Sequence, residues 1–323
     1  MRVLVTGANG FIGGYLTQQI KDMGWGLITS YLDVSDMEAW QHFDNKENID
    51  AVIHLAALLM IDGHRPEDYF KVNTLGTYNL LEFARRNKIP KFIYAMTHSD
   101  TNRCSSVYIH DDEEQRYGTN SFERNSISFI TSKIAAADMV DTYTDQGILN
   151  GVNLRLANIR GYGSKDTRFN SPFHQFIAKA QKGEDIEIWG NPPTTERDMI
   201  YVKDVVSAII KSVENPGIKG WYNIGSGKGM TIVDEAMAII KVFCAEQDDC
   251  FVCDMETANK FPDFPVRVVS NYASKIIYRQ DIEEVRKKSC VFLIDKAKRD
   301  LNWEPAYSYE DGLRDMKTYM ERG

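Results

Sequence analysis

Phe129 stands four residues before Lys133 in the stretch Ser126-Ile-Ser-Phe129-Ile-Thr-Ser-Lys133. The surrounding pattern predicts a helix over Ile127–Asp145, and positions four apart on a helix share a face. A phenol at position 129 would make an acid/base pair with Lys133, because an ammonium favours the phenolate. A phenyl ring transfers no proton. Near the N-terminus, Gly7-Ala-Asn9-Gly10-Phe11-Ile12-Gly13 follows the strand-like run Val3–Thr6 and precedes a helical pattern. Glycines so placed allow a tight turn, close approach of backbone to a pyrophosphate and close helix–strand packing. The helix that follows would direct free N–H groups and its positive end at the phosphates.

The elements that must hold these residues alternate. Strands are expected at Val3–Thr6, Gly26–Ser30, Ala51–Leu55, Phe92–Met96 and Val152–Leu156, and helices at Phe11–Met23, Pro66–Arg86 and Ile127–Asp145. Such alternation is the signature of a parallel sheet with crossover helices. Beyond Gly163 the pattern loosens: helices are expected at Pro172–Lys182, Lys203–Glu214, Thr231–Phe243, Asp295–Leu301 and Tyr309–Glu321, with short strands at Ile186–Trp189 and Asp198–Tyr201. The fold class is therefore α/β, a Rossmann-type doubly wound parallel sheet with a smaller mixed α/β C-terminal domain. The expected boundaries are 1–163 for the dinucleotide domain and 164–323 for the substrate domain, with 198–224 a candidate to return to the first.

Composition narrows the function classes. The 323 residues are 43% hydrophobic and 26% charged, with a net charge of -8. That acidity argues against nucleic acid or an anionic membrane as main partner. The longest apolar run, Ala51 to Ile61, is too short to span a bilayer, and no signal peptide is visible. Five scattered cysteines suit a reducing cytoplasm. Cys250 and Cys253 have metal spacing but lack a second ligand pair, and the six histidines form no ligand motif, so no metal is expected.

The glycine spacing is G-x-x-G-x-x-G, and with it the chain resembles the extended branch of the short-chain dehydrogenase/reductase superfamily. It is similar to the NAD-dependent epimerase/dehydratases acting on nucleotide sugars. The likeness continues through His54-Leu-Ala-Ala57, Asn73-Thr-Leu-Gly76, Leu154-Arg-Leu-Ala-Asn158, Glu196-Arg197-Asp-Met, Tyr222-Asn-Ile-Gly225 and Asp295 to Pro305. The resemblance implies cofactor contacts from Gly7, Asn9, Gly10, Phe11, Ile12, Gly13, Asp33, Val34, Leu55, Ala56, Ala57, Asn73 and Lys133. Asp33 has a plainer reading as the cap of a helix from Ser35 onward. No basic residue follows the second strand, where Ser30 and Tyr31 stand, so NAD is favoured and NADP is the alternative.

By the same resemblance Thr97 would hydrogen-bond the reacting sugar oxygen, Lys133 would bind the nicotinamide ribose, and the family's tyrosine position holds Phe129. Two accounts of Phe129 follow. One is a Tyr-to-Phe change in an otherwise active enzyme, favoured because Thr97, Lys133 and the substrate motifs persist. The other is natural divergence, with Tyr94, Tyr108 or Tyr117 as substitute acid. His98-Ser99 after Thr97 replaces the Asp-Glu pair of the 4,6-dehydratases, which demotes dehydration. Asn158, Arg197 and Arg279 would bind a nucleotide-diphosphate sugar, with Arg286 competing for the place of Arg279. The implied activity is epimerisation through transient oxidation, at C4, with a 4-ketoreductase or a non-catalytic dinucleotide sensor as rivals. A homodimer through the helices around Asn73–Arg86 and Ile127–Asp145 is expected.

Overall fold

A computed structural model describes residues 1–43, 48–60, 64–101, 107–111, 124–163, 172–189, 195–244, 274, 276–279 and 289–322. The chain divides into two compact units. The first comprises Met1–Ile159, Val202–Gly227 and Phe292–Ala306, and the second Arg160–Tyr201, Lys228–Val291 and Tyr307–Gly323. Phe292–Ala306, which the expected boundaries put in the C-terminal domain, thus belongs to the first unit.

The first unit is built on a six-stranded sheet in the order Gly220–Ile224, Asn150–Leu156, Lys91–Thr97, Ala51–His54, Arg2–Thr6, Gly26–Thr29. Every neighbouring pair is parallel. The inner strands are buried on both faces, as in a sheet covered twice. Helix Phe11–Asp22 packs with Val202–Glu214, and helices Gly76–Arg86 and Arg124–Asp145 pack together. The strand order reverses between Arg2–Thr6 and Ala51–His54, and ligands of open parallel sheets bind at the carboxyl ends of strands at such a switch point.

Local sequence explains the element ends. Pro66 begins its helix, where a missing N–H costs nothing. Lys88 at φ 54 and then Pro90 end the helical run before the next strand. Thr231 caps Ile232–Phe243, accepting from the Asp234 amide, so the helix begins one residue later than expected. Three features depart from expectation. The helix predicted over Pro66–Arg86 contains a π-helical stretch, Phe70–Leu75. A short helix, Met37–His42, capped by Asp36, adds to the first unit. The sixth strand, Gly220–Ile224, is masked in sequence by its mixed Trp-Tyr-Asn composition.

Two segments close the first unit around Asp204. Its carboxylate accepts from the Ala306 amide at 2.8 Å, and its carbonyl accepts from the buried Trp303 indole at 3.2 Å. Nearby, the Lys91 ammonium donates to the carbonyls of Asn215 and Ile218 at 2.9 and 2.6 Å.

The second unit pairs Ile186–Trp189 in parallel with Ile276–Arg279, and Gly229–Met230 antiparallel to Arg197–Tyr201. Helices Pro172–Lys182, Ile232–Phe243 and Tyr309–Arg322 enclose a core that includes Phe173, Phe176, Ile239 and Leu313. Within it the buried Glu235 accepts from Arg160 at 2.7 Å and Tyr309 at 2.9 Å. Among the described residues no helix is long and apolar enough to cross a membrane.

Replacing Trp303 by alanine removes a large buried ring and the donor to Asp204. It should cost about 3–5 kcal/mol, read as a lower urea midpoint for unfolding.

Candidate functional site

Gly7 adopts φ 70, and a Cβ there would stand 2.7 Å from the Ala56 nitrogen. A Cβ on Gly13 would stand 2.7 Å from the Ala8 carbonyl carbon. The loop is thus packed backbone to backbone against Leu55 and Ala56, and only glycine fits. Gly10 forms the N-cap of helix Phe11–Asp22, with no side-chain cap and no acidic residue in the first turn. The leading N–H groups of that helix, at Phe11 and Ile12, are therefore not taken by a capping side chain, and nothing anionic repels a phosphate there. Asn9 is exposed on the loop. The cradle fits a dinucleotide pyrophosphate.

Asp33 and Val34 behave differently. The Asp33 carboxylate accepts from the Ser35 amide and hydroxyl at 2.9 and 2.8 Å and so closes a turn rather than capping a helix, since the helix that follows is capped by Asp36. It is still exposed, with lone pairs to spare. Val34 is buried against Gly76, and its carbonyl accepts from Asn79 at 2.9 Å. Ser30 turns its hydroxyl to the Leu32 amide, while Tyr31 is exposed.

A buried polar chain runs across the switch point. His54 Nδ1 lies 2.7 Å from the Thr6 hydroxyl, and Nε2 lies 3.0 Å from the Thr77 hydroxyl. The Thr77 hydroxyl proton goes to the Asn73 carbonyl at 2.6 Å. That assigns the His54 proton to Nε2, donating to Thr77, and leaves Nδ1 to accept from Thr6. Burial lowers His54 to about 3, with the Lys133 charge a smaller cause. Asn73, turned inward by the π-helical stretch, accepts from the Leu58 amide at 2.8 Å and donates to the Ser132 hydroxyl at 3.0 Å. Ser132 in turn donates to the Phe129 carbonyl at 2.7 Å. Of these residues the sequence reading names Asn73 but misses Thr6, Thr77 and Ser132. Their partners lie up to 59 positions away, beyond any local pattern.

Thr97 ends its strand half-buried. Its hydroxyl lies 3.2 Å from both the Ser99 amide and the Ser99 hydroxyl, giving a two-hydroxyl turn. Beneath it the buried Asp100 pairs with Arg155 at 3.0 Å, and Arg155 also donates to Asn223 at 3.0 Å. Burial pushes Asp100 up to about 6 against the pull of Arg155. No sequence motif marks this pair.

Phe129 and Lys133 are 7% and 5% exposed, on one face of helix Arg124–Asp145. The Phe129 ring meets Tyr69 edge-on, with centroids 6.2 Å apart. Lys133 donates to the Ala95 carbonyl at 2.7 Å, two residues before Thr97, and stands 4.2 Å from the centre of the Tyr94 ring. The structure thus brings Lys133 to the strand that carries Thr97. Of the candidate substitute acids, Tyr94 is wholly buried and its phenol is held well above the usual range by burial. Lys133 covers its ring face, an arrangement that does not ionise the hydroxyl. Tyr108 is exposed, and Tyr117 lies outside the described residues.

Ala57 continues the turn after Leu55 and Ala56, and Asn158 is half-buried just past strand Asn150–Leu156. Arg197 belongs to the second unit, where it opens strand Arg197–Tyr201 and bridges to Cys290. Arg279 ends strand Ile276–Arg279; its side chain, like Arg286, Cys250 and Cys253, lies outside the described residues.

A family model described as the NAD dependent epimerase/dehydratase family matches residues 3–225, more than half of the chain. The chain belongs to that family. Its members are enzymes, and the family's cofactor is NAD. A dTDP-D-glucose 4,6-dehydratase of Dictyostelium discoideum is 28% identical over 75% of this chain, which spans 62% of that protein's length. A UDP-glucose 4-epimerase of Mus musculus is 25% identical over 74% of this chain and 82% of its own length. Among solved structures, a UDP-glucose 4-epimerase of Thermotoga maritima, crystallised with UDP-glucose, superposes with a TM-score of 0.77 at 21% identity. That alignment covers 100% of this chain and 99% of that one. The last likeness shows the Rossmann architecture.

The buried histidine makes a pH prediction. His54 is lowered in the folded chain, so its contribution to stability is complete above pH 6.5 and is lost as pH falls toward 3. His54→Gln should make acid destabilisation shallower in that window, by about 1.4 kcal/mol per pH unit, measured by urea unfolding at stepped pH.

Proposed function

We propose that this chain is a nucleotide-sugar epimerase of the family, working by transient oxidation of one sugar carbon, C4. The observation that carries the reading is the turn after Thr97. It offers two hydroxyls, and its one carboxylate, Asp100, is buried on Arg155. A 4,6-elimination needs an acid and a base at that turn. Hydride removal and return need only a hydrogen-bond donor for the sugar oxygen and a proton carrier.

When bound, NAD supplies the hydride acceptor and later the hydride donor. The chain's own residues do the rest. Gly7, Gly10 and Gly13 admit the pyrophosphate, and the N–H groups at Phe11 and Ile12 receive its charge. Asp33 and the Val34 backbone serve the adenine end, and Leu55, Ala56, Ala57 and Asn73 line the cofactor path. Thr97 holds the sugar oxygen, and Lys133 binds the nicotinamide ribose. Asn158, Arg197 and Arg279 serve the nucleotide diphosphate, for which an arginine fork is suited. Phe129 keeps the volume of a tyrosine and lacks its proton.

A second reading, a 4-ketoreductase consuming NAD(P)H, uses the same residues. It is favoured if reduced cofactor is oxidised stoichiometrically with a keto sugar, whereas tightly co-purifying NAD favours the epimerase. We also assign a homodimer through the helices Gly76–Arg86 and Arg124–Asp145, on which Tyr78 and Ile127 are exposed; sedimentation gives the mass.

Phe129→Tyr should raise turnover of a nucleotide sugar by about 10²–10⁴-fold with little change in NAD affinity. An F129Y chain that binds NAD yet stays inert across a broad panel of nucleotide sugars points instead to a dinucleotide sensor.

A further inference from the structure

We propose that Asp100 is a positioning residue: through its buried pair with Arg155 it fixes the turn that presents the Thr97 hydroxyl. The proposal rests on the enzymatic reading above, in which Thr97 holds the sugar oxygen, and extends it by naming what sets the place of that hydroxyl.

The turn has few bonds of its own. It is one short 3₁₀ stretch, His98–Thr101, directly after strand Lys91–Thr97. Within it the Thr101 hydroxyl donates to the His98 carbonyl at 2.7 Å, and Thr97 meets Ser99 in the two contacts of 3.2 Å. Asp100 supplies the anchor from outside. It is wholly buried, and its carboxylate accepts from Arg155 Nε at 3.0 Å across 55 positions of sequence.

Arg155 is itself fixed. Strand register places it beside Met96, the residue before Thr97, and beside Asn223 on its other side. A second guanidinium donor goes to the Asn223 side chain at 3.0 Å, and the guanidinium lies 4.8 Å from the centre of the Trp221 ring. Asn223 in turn donates to the carbonyls of Ile109 and Leu293 at 2.9 and 3.3 Å, and its backbone amide donates to the Asp111 carboxylate. The same clamp thus holds the chain after it leaves the sheet, at Asp100, and where it comes back against Asn223, at Ile109. A planar fork bonded at two donors and covered by a ring has a set orientation, which sets the place of the Asp100 carboxylate.

Stability alone does not call for a charged pair here. Burial opposes the Asp100 charge more strongly than Arg155 favours it, and apolar residues of similar volume often replace such pairs without loss. What an apolar pair lacks is direction. Hydrophobic contact is non-directional and lets a turn shift, whereas a charge-assisted hydrogen bond to a fixed guanidinium does not. A misplacement of about 1 Å at a site can cost about 10²-fold in rate, and Thr97 is three residues from the anchor.

The full chain carrying F129Y gives the turnover needed for a test, with NAD and the best-used member of the nucleotide-sugar panel. Four forms of it are compared: the parent, T97V, D100L/R155M and the triple variant that combines them. D100L/R155M should keep the parent's urea midpoint yet lower kcat by about 10²-fold. KM and NAD affinity should change little, the mark of an interaction made only in the transition state. In the T97V background the same pair of changes should cost little more, because the hydroxyl it positions is gone. An apolar pair that keeps both midpoint and kcat makes Asp100 structural and overturns the proposal. Losses that multiply in the triple variant also overturn it, since Asp100 then acts independently of Thr97. If D100L/R155M does not fold, D100N takes its place in the cycle, with a smaller expected loss of about tenfold.

A second measurement needs no turnover. In the chain labelled with ¹³C at threonine methyls, the Thr97 resonance, identified by its absence in T97V, should move or broaden in D100N. The Thr231 resonance, from the helix cap of the second unit, should stay in place. A Thr97 methyl indifferent to D100N overturns the proposal whatever the rates. An F129Y chain inert across the panel overturns the enzymatic reading, and the methyl resonance then still decides whether Asp100 places Thr97.

Discussion

The first unit depends on one steric constraint, the contact between the glycine loop and the start of the Leu55–Ala57 turn. Gly7 and Gly13 bring backbone against backbone at distances that any Cβ would violate. That approach sets helix Phe11–Asp22 with its N-terminus over the switch point of the sheet. An N-terminus capped by Ser or Asp would be more stable as a helix by about a few tenths of a kcal/mol, but the cap would occupy leading N–H groups. Gly10 as a bare cap therefore leaves the leading N–H groups of the helix open at a small cost to local stability.

The polar chain behind the loop extends the same constraint. The Thr6 hydroxyl lies 3.4 Å from the Ala56 amide, and His54, Thr77, Asn73 and Ser132 carry the connection to the backbone of Phe129. Each buried donor along it meets an acceptor, which is the condition for such a chain to rigidify a core rather than weaken it. The π-helical stretch belongs to this chain. A π turn shifts the side chains that follow, which lets Asn73 reach both the Leu58 backbone and Ser132. The cofactor loop and the helix of Phe129 and Lys133 are thereby fixed to one another within the unit.

What the sequence makes legible follows from the range of each interaction. The glycine loop, the strand–helix alternation and the caps at Pro66 and Thr231 are local, and each is visible as residue type at short spacing. The π stretch is hidden because its apolar spacing differs little from that of an α-helix. Strand Gly220–Ile224 is hidden because Asn223 is a buried polar residue in mid-strand, satisfied by Arg155 and by the carbonyls of Ile109 and Leu293. The Asp100–Arg155 pair and the His54 chain join residues far apart in sequence, so nothing local announces them. Motif resemblance marks the candidate site residues. Their hydrogen-bond partners became readable only when the sheet register set Met96, Arg155 and Asn223 in one row.

The consequence of phenylalanine at 129 is then narrower than its position implies. Its ring is buried and packs on Tyr69, while its backbone carbonyl accepts from the Ser132 hydroxyl whatever the side chain. Compared with a tyrosine at that position, phenylalanine lacks one hydroxyl and keeps the buried ring and its packing.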